Sequence, residues 1–303
     1  EQIMAMSRKK QYQLLNEHGK TEKNDFTQVE ELDFSKARIV FQGVEGAYSQ
    51  QAMREYFGED CDSYHVDTWR DAMDDIAQGK ADYAVLPIEN SSAGIVSENY
   101  DLLVEYDNYI VGEQIIRIDH ALLGVEGATL SDIEVVYSHP QALMQCASYL
   151  EAHRDWEKIS LKNTALSAKK VGDEGRKNQA AIAGALNAEI YGLSVLENAI
   201  QENKSNSTRF IIVTRKPIYV KSAGKISICF EIPHESGSLY HMLSHFIYNG
   251  INMTNIQSRP IQGRNWEYRF FIDFEGTFQD MAVQNALRGL KEETTSLKIL
   301  GTY

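Results

Sequence analysis

The chain has 303 residues, with 43 Asp and Glu against 30 Lys and Arg, a formal net charge of −13 at pH 7. That length suits two domains better than one small core. The acidic balance speaks against nucleic acid or an acidic membrane surface as partner, and no apolar run is long enough to span a bilayer. An anionic substrate must then be held by local donors, such as backbone N–H groups at helix starts, rather than by the field of the whole molecule. Cys61, Cys146 and Cys229 lie far apart, with no CxxC pair and no metal-ligand spacing. They read as reduced, ordinary side chains in a cytoplasmic protein.

In chain order, Ile3, Met6 and Gln11–Leu14 fall at helical spacing within residues 1–15. Residues 16–37 are polar and charged without periodicity, which reads as a linker. From Arg38 to Pro217 short apolar runs alternate with amphipathic helices: ARIVFQG, DYAVLPI, HALLGV, IEVVYSH, AAIAGA and RFIIVT are the strand candidates. Thr68-Trp69-Arg70-Asp71 has the form of a capping box, opening a helix that ends at Gly79 with Trp69, Met73 and Ile76 on its core side. This alternation predicts an α/β domain with mostly parallel sheets and ligand groups at the carboxyl edge of the strands. From Lys221 the rhythm changes. Ile226, Ile228, Phe230 and Ile232 alternate strictly, a helix follows and closes at Asn249-Gly250, and two strands, a helix from Met281 to Lys291 and a last strand LKILGTY complete the order. That βαββαβ succession predicts a ferredoxin-like unit.

Four turns share one physical device. Gly43-Val44-Glu45-Gly46-Ala47-Tyr48-Ser49, Glu89-Asn90-Ser91-Ser92-Ala93-Gly94, Ser138-His139-Pro140-Gln141 and Asn163-Thr164-Ala165-Leu166-Ser167 each offer a hydroxyl or amide cap plus free backbone N–H groups. Each can therefore hold a carboxylate. Any one alone is an ordinary helix cap; four in one α/β domain suggest a ligand site. Gln145, seven residues after Ser138, is expected on the same helix face, with Gln141 between them. Asn206-Ser207-Thr208-Arg209-Phe210 leads into the strand IIVTR and joins the set by its company.

The ordered series GVEGAYS, PIENSSAG, SHPQALMQC, NTALSA, IYGLSVL and NSTRF resembles the prephenate dehydratase family from Arg38 to Pro217. The tail, with Glu235-Ser236-Gly237-Ser238-Leu239 and Gln257-Ser258-Arg259-Pro260, resembles the ACT domain that this family carries as a phenylalanine sensor. It departs from the usual motifs at Ser238, where Ala is commoner, and at Gln257, where an acidic residue is usual. IMAMSRKKQ is similar to the last helix of a chorismate mutase domain, with Ser7 and Gln11 at two ligand-touching positions. The other helices of that domain are absent, so no mutase activity is expected and the chain reads as cut from a bifunctional mutase-dehydratase.

The resemblance implies a two-lobed catalytic domain over 38–217, like type II periplasmic binding proteins. Its lobes would be about 38–112 plus 200–217, and 113–199, with an ACT domain over 222–303. It implies a carbon-oxygen lyase that removes water and carbon dioxide from prephenate to give phenylpyruvate, with no cofactor and no metal. Thr208 is assigned to the leaving hydroxyl, with Asn90, Ser138, Gln145 and Glu89 as catalytic company. Tyr48, Ser49, Ser91, Asn163, Thr164, Arg209 and Phe210 would shape the substrate cleft; His139 is the weaker choice for an acid. The ACT residues Gly237, Ser238, Leu239, Asn252, Gln257, Ser258, Arg259 and Pro260 would bind phenylalanine, across a subunit boundary in a homodimer or homotetramer. Arogenate dehydratase shares PIENSS and GAYS and is the alternative reading. A non-catalytic amino-acid-binding sensor is the distant one, and the Asn90, Ser138, Gln145 and Thr208 set speaks against it.

Overall fold

The computed structural model describes Ser7, Lys10, Gln11 and residues 25–303. Of the expected mutase-like helix only those three residues are described, helical and exposed; the rest lies outside the described residues. The chain divides into two compact units, one of Phe34–Tyr100 and Glu113–Ile212, the other including Asp101–Gly112 and Val213–Tyr303.

The strands are β1 (Thr27–Val29), β2 (Arg38–Gln42), β3 (Asp62–Val66), β4 (Tyr83–Asn90), β5 (Gly94–Ile95), β6 (Tyr109–Arg117), β7 (Ala121–Val125), β8 (Val135–Ser138), β9 (Glu157–Ser160), β10 (Gln179–Ala183), β11 (Leu193–Glu197), β12 (Ser207–Thr214), β13 (Ile218–Val220), β14 (Lys225–Glu231), β15 (Met253–Pro260), β16 (Tyr268–Glu275) and β17 (Ser296–Thr302). The helices are α1 (Tyr48–Phe57), α2 (Trp69–Ala77), α3 (Ser97–Glu105), α4 (Pro140–Gln145), α5 (Ala147–Ala152), α6 (Thr164–Glu174), α7 (Leu186–Tyr191), α8 (Ser238–Asn249) and α9 (Met281–Glu293).

The first unit holds two sheets. One runs β3-β2-β4-β12-β6, the other β11-β7-β10-β8-β9. β2 is parallel to β3 and β4, and β8 is parallel to β9 and β10, whereas β7 is antiparallel to β10 and β11. The sheets are mixed rather than mostly parallel. The chain passes from one sheet to the other after β6 and returns after β11, which gives the expected two lobes.

The apolar runs behave as their composition requires. Val136, Ile182 and Leu122 pack under α4 and α5 with Ala142, Cys146, Leu150 and Trp156. α2 opens on the capping box read from the sequence: Thr68 accepts from the Asp71 N–H and Asp71 accepts from the Thr68 N–H. Its buried residues are Ala72, Met73 and Ile76; Trp69 stays only part-buried, because it stands at the first helical position.

In the second unit, β14-α8-β15-β16-α9-β17 folds as a ferredoxin-like βαββαβ, with sheet order β15-β16-β14-β17 and antiparallel neighbours. Ile226, Ile228 and Phe230 bury fully against Met242, Phe246, Phe274 and Leu290. The stretch read as a linker is partly structured. β1 pairs in parallel with β13, and Phe26 packs edge-on against Tyr109, with their ring centroids 5.2 Å apart. Phe34 meets Phe57 at 4.7 Å and Tyr83 at 5.4 Å in the first unit. Two isolated aromatic residues anchor a run whose polar composition carries no periodic signal.

Candidate active site

The first cluster grows from the end of β4. β5 folds back on it, pairing Glu89 with Ile95 and Asn90 with Gly94. The Glu89–Gly94 turn is therefore a hairpin, not a helix cap, and α3 begins only at Ser97. Asn90 Oδ1 accepts from the backbone N–H groups of Ser92 (3.0 Å) and Ala93 (2.8 Å). Its NH2 faces Asn206 Oδ1 (3.0 Å), Ser207 O (3.1 Å) and Thr208 Oγ1 (2.9 Å). Only one orientation of the amide satisfies these contacts, since two partners can only donate and the Ser207 carbonyl can only accept. Because Asn90 donates to Thr208 Oγ1, the hydroxyl proton of Thr208 is left to donate elsewhere. Thr208 is 8 % exposed.

Around this pair the expected residues separate into distinct jobs. Ser91 exchanges hydrogen bonds with Ser207, giving its N–H to the Ser207 carbonyl and accepting the Ser207 N–H on Oγ at 3.0 Å. Phe210 is buried in the core. Arg209 lies 3.3 Å from Glu113 and 3.7 Å from Glu89. Its guanidinium is engaged by two carboxylates of its own chain, so it stands as a structural ion pair rather than a cation held ready for a substrate carboxylate.

The second cluster is built on β8 and α4. Ser138 is the last residue of β8, and the helix starts at Pro140 with His139 as its cap, His139 Nδ1 accepting from the Gln141 N–H at 3.2 Å. Ser138 and Gln145 therefore do not share a helix face: a strand residue has no place in the 3.6-residue count. Ser138 is fully buried and its hydroxyl donates to Ile182 O at 2.6 Å, tying β8 to β10. The cap explains His139 as well, and burial holds its imidazole below the ordinary pKa. Asn163 caps α6 by accepting from the Leu166 N–H at 2.7 Å, with Thr164 as the first helical residue.

Gln145 ends α4 and meets a residue that the sequence reading passed over. His120 Nε2 lies 2.9 Å from Gln145 Oε1, and His120 Nδ1 lies 3.1 Å from the Tyr48 hydroxyl, which also donates to Asp119 O at 2.9 Å. His120 is 2 % exposed, and its backbone N–H donates to Gln201 Oε1 at 2.9 Å. Burial pushes its pKa below the ordinary histidine value, against a smaller opposing pull from Gln145 and Asp119, so the ring is neutral. Burial likewise raises the Tyr48 phenol far above its usual range, so it stays a hydroxyl. His120 stands just before an apolar strand, where a lone His reads as core; only the distances reveal its partners.

The Gly43–Ser49 loop clasps the opposite lobe. Tyr191 donates to Glu45 O at 2.5 Å and Asn187 Nδ2 donates to Gly46 O at 3.0 Å. Gly46 has φ +82°, and a Cβ there would stand 2.1 Å from Asn187 Oδ1. The glycine is thus required twice, by conformation and by space. Ser49 Oγ donates to Gln42 O at 2.5 Å and holds the loop to β2.

In the ferredoxin-like unit, Gly237 takes φ +86° as the cap of α8. A cavity of about 150 Å³ beside it is lined by Ile232, Glu235, Ser238, Leu239, Tyr268 and Phe270, among others. Asn252 lies beyond the other end of α8, against a separate cavity with Gly250, Ile251 and Asp280. Along a twelve-residue helix those two ends are about 18 Å apart. Gln257 donates to Asn255 Oδ1 at 3.3 Å, and Arg259 makes a two-pronged pair with Asp101 at 3.2 and 2.5 Å. Ser258 and Pro260 are exposed on β15.

The profile of the family described as prephenate dehydratase matches residues 39–218. An arogenate dehydratase/prephenate dehydratase of Arabidopsis thaliana is 38% identical over 287 residues, covering 89% of this chain and 73% of its own. The bifunctional chorismate mutase/prephenate dehydratase of Escherichia coli K12 is 36% identical over 273 residues, covering 88% of this chain and 70% of its own. The crystal structure of a prephenate dehydratase from Arthrobacter aurescens in complex with L-Phe superposes with a TM-score of 0.81 at 30% identity, over 88% of this chain and 89% of that one. The chain belongs to the prephenate dehydratase family and is an enzyme of that type.

Proposed function

We propose that the protein converts prephenate to phenylpyruvate, using the hydroxyl of Thr208 as the hydrogen-bond donor at the departing oxygen. The observation that carries this reading is the direction of the Asn90–Thr208 hydrogen bond, which leaves the threonine proton to be given outward. In the reaction the bond to the ring carboxylate breaks and its electron pair enters the ring. The ring becomes aromatic, and the C–O bond breaks with its pair on oxygen, which takes up a proton to leave as water. Aromatisation drives the step; charge growing on the departing oxygen is what needs stabilising. A neutral threonine is a poor acid, so its part is an oriented hydrogen bond rather than full proton transfer. Gln145, its amide held by His120, is the further side-chain donor suited to a substrate carboxylate, whereas the Ser91, Ser92 and Ala93 N–H groups are already given to Ser207 O and Asn90 Oδ1.

The second half of the proposal is feedback control by phenylalanine through the ferredoxin-like unit, acting as an ACT domain. The N-terminus of α8 and the small cavity beside Ser238 and Leu239 suit an amino-acid carboxylate and an aromatic ring. Asn252 belongs to the same site only if a second copy of the chain supplies it, because within one chain it stands at the other end of the helix. A homodimer or homotetramer follows from that reading.

Purified protein offered prephenate and arogenate separately, with and without phenylalanine, tests both halves. Phenylpyruvate from prephenate, suppressed by phenylalanine, is the expected result. Phenylalanine formed from arogenate alone would move the chain to the sister activity, and no product from either would leave a binding protein.

A further inference from the structure

We infer that His120 is a positioning residue for Gln145: its Nε2–H donates to Gln145 Oε1 and so turns the Gln145 NH2 toward the substrate. The inference rests on the reading of Gln145 as a substrate contact. A side-chain amide is two-faced, and its value in an anion site depends on which face is turned outward. An NH2 stabilises a carboxylate or a departing hydroxide; a carbonyl oxygen in the same place repels either.

Something must therefore fix the amide of Gln145, and His120 is the group within reach, at 2.9 Å. A neutral imidazole donates from one nitrogen and accepts at the other. With Gln145 Oε1, which can only accept, turned to Nε2, the ring proton stands on Nε2 and Nδ1 is left as an acceptor facing the Tyr48 hydroxyl at 3.1 Å. The same hydroxyl reaches Asp119 O at 2.9 Å, so its single proton is shared between two acceptors. The main chain of His120 is clamped by its N–H to Gln201 Oε1 bond and by the Ile200 N–H to His120 O bond, at 2.9 and 3.0 Å. Gln201 is held in turn by donating to Asp119 Oδ1 at 2.7 Å. Gln145 is fixed at its main chain too, its carbonyl accepting from the Glu202 N–H at 2.9 Å. With both main chains anchored, the imidazole contact sets which way the Gln145 amide faces. The titratable groups that face the ring are Tyr48 and Asp119, with Cys146 acting on Tyr48 and Glu202 on Cys146 beyond them; the imidazole stays neutral through burial.

The test compares His120→Leu, His120→Gln, Gln145→Ala and the double variant His120→Leu/Gln145→Ala, assayed on prephenate, with melting temperatures for each. His120→Gln keeps an N–H donor near the Nε2 position and is expected within about threefold of wild-type kcat/KM, while His120→Leu falls by about tenfold to a hundredfold, the scale of one hydrogen bond to a charged group. The double variant is expected to be no slower than Gln145→Ala alone. Multiplied losses in the double variant overturn the inference, since they mean that His120 acts independently of Gln145. Full activity in a folded His120→Leu also overturns it. A silent Gln145→Ala overturns both this inference and the assignment of Gln145 to the substrate, whereas the multiplied loss leaves that assignment standing. Imidazole 15N spectra of the wild-type protein provide a readout independent of folding in the variants. A protonated Nε2 and a bare Nδ1 on His120 are expected, and the opposite tautomer overturns the inference.

Discussion

Replacing Asn90 by Asp keeps the shape of the side chain and reverses the chemistry of one face. Oδ1 still accepts from the Ser92 and Ala93 N–H groups. The other oxygen now stands where an NH2 served three acceptors at 2.9 to 3.1 Å. Losing two to three hydrogen bonds at about 1 kcal/mol each costs about 2 to 3 kcal/mol. For a unit of this size that lowers the melting temperature by about 4 to 12 °C. The larger effect falls on Thr208. A carboxylate 2.9 Å from Oγ1 accepts the threonine's proton, so the donor proposed for the departing hydroxyl is turned inward. Removing one preorganised donor from a developing oxyanion costs about 10²- to 10³-fold in kcat. The assay is the initial rate of phenylpyruvate formation at pH 7.5, as the ratio of variant to wild type. A variant with wild-type kcat at pH 7.5 would refute the claim that Asn90 controls where the threonine proton goes.

Two further outcomes follow from the same geometry. Gly46→Ala places a Cβ 2.1 Å from Asn187 Oδ1 at φ +82°, and strain plus overpacking should cost about 2 to 4 kcal/mol; an unchanged melting temperature would contradict the clasp between the Gly43–Ser49 loop and α7. The unfolded imidazole of His120 takes up a proton near its ordinary value of 6.5, while the buried ring, facing Tyr48, Gln145 and Asp119, resists protonation. The unfolded state therefore binds more protons below that value, and stability is lost as pH falls from about 6.5 through the lowered folded value. His120→Gln should flatten the fall in melting temperature between pH 7.5 and 5.5, and identical slopes would contradict the assignment; His139, depressed in the same direction, contributes equally to both proteins.

Much of the fold could be read because local chemistry and global structure agree. Thr68 and Asp71 announce a helix start through their own hydrogen bonds, and Ile226, Ile228 and Phe230 announce a buried face by period two. Elements held by partners far along the chain could not be read. β3 is an edge strand whose DSYHV sequence has no fully buried residue, and β1 is three residues long and borrows its order from β13 and Phe26. At the site, Asn90, Gln145 and Thr208 were legible as motif residues, but the hydrogen bond joining Asn90 to Thr208 spans 118 positions. Arg209 looked available because Glu113 lies 96 positions away, and His120 was passed over because its partners Tyr48 and Gln145 are 72 and 25 positions distant. Spacing along a helix misled for Ser138 and Gln145, since one of them is in a strand.

The central claim is that the Thr208 hydroxyl stabilises the departing oxygen, and Thr208→Val tests it with nearly the same side-chain volume. Single-turnover rates on prephenate should fall by about 10²-fold or more with KM little changed, because the lost interaction belongs to the transition state. A folded Thr208→Val enzyme that turns over prephenate at the wild-type rate would contradict the account.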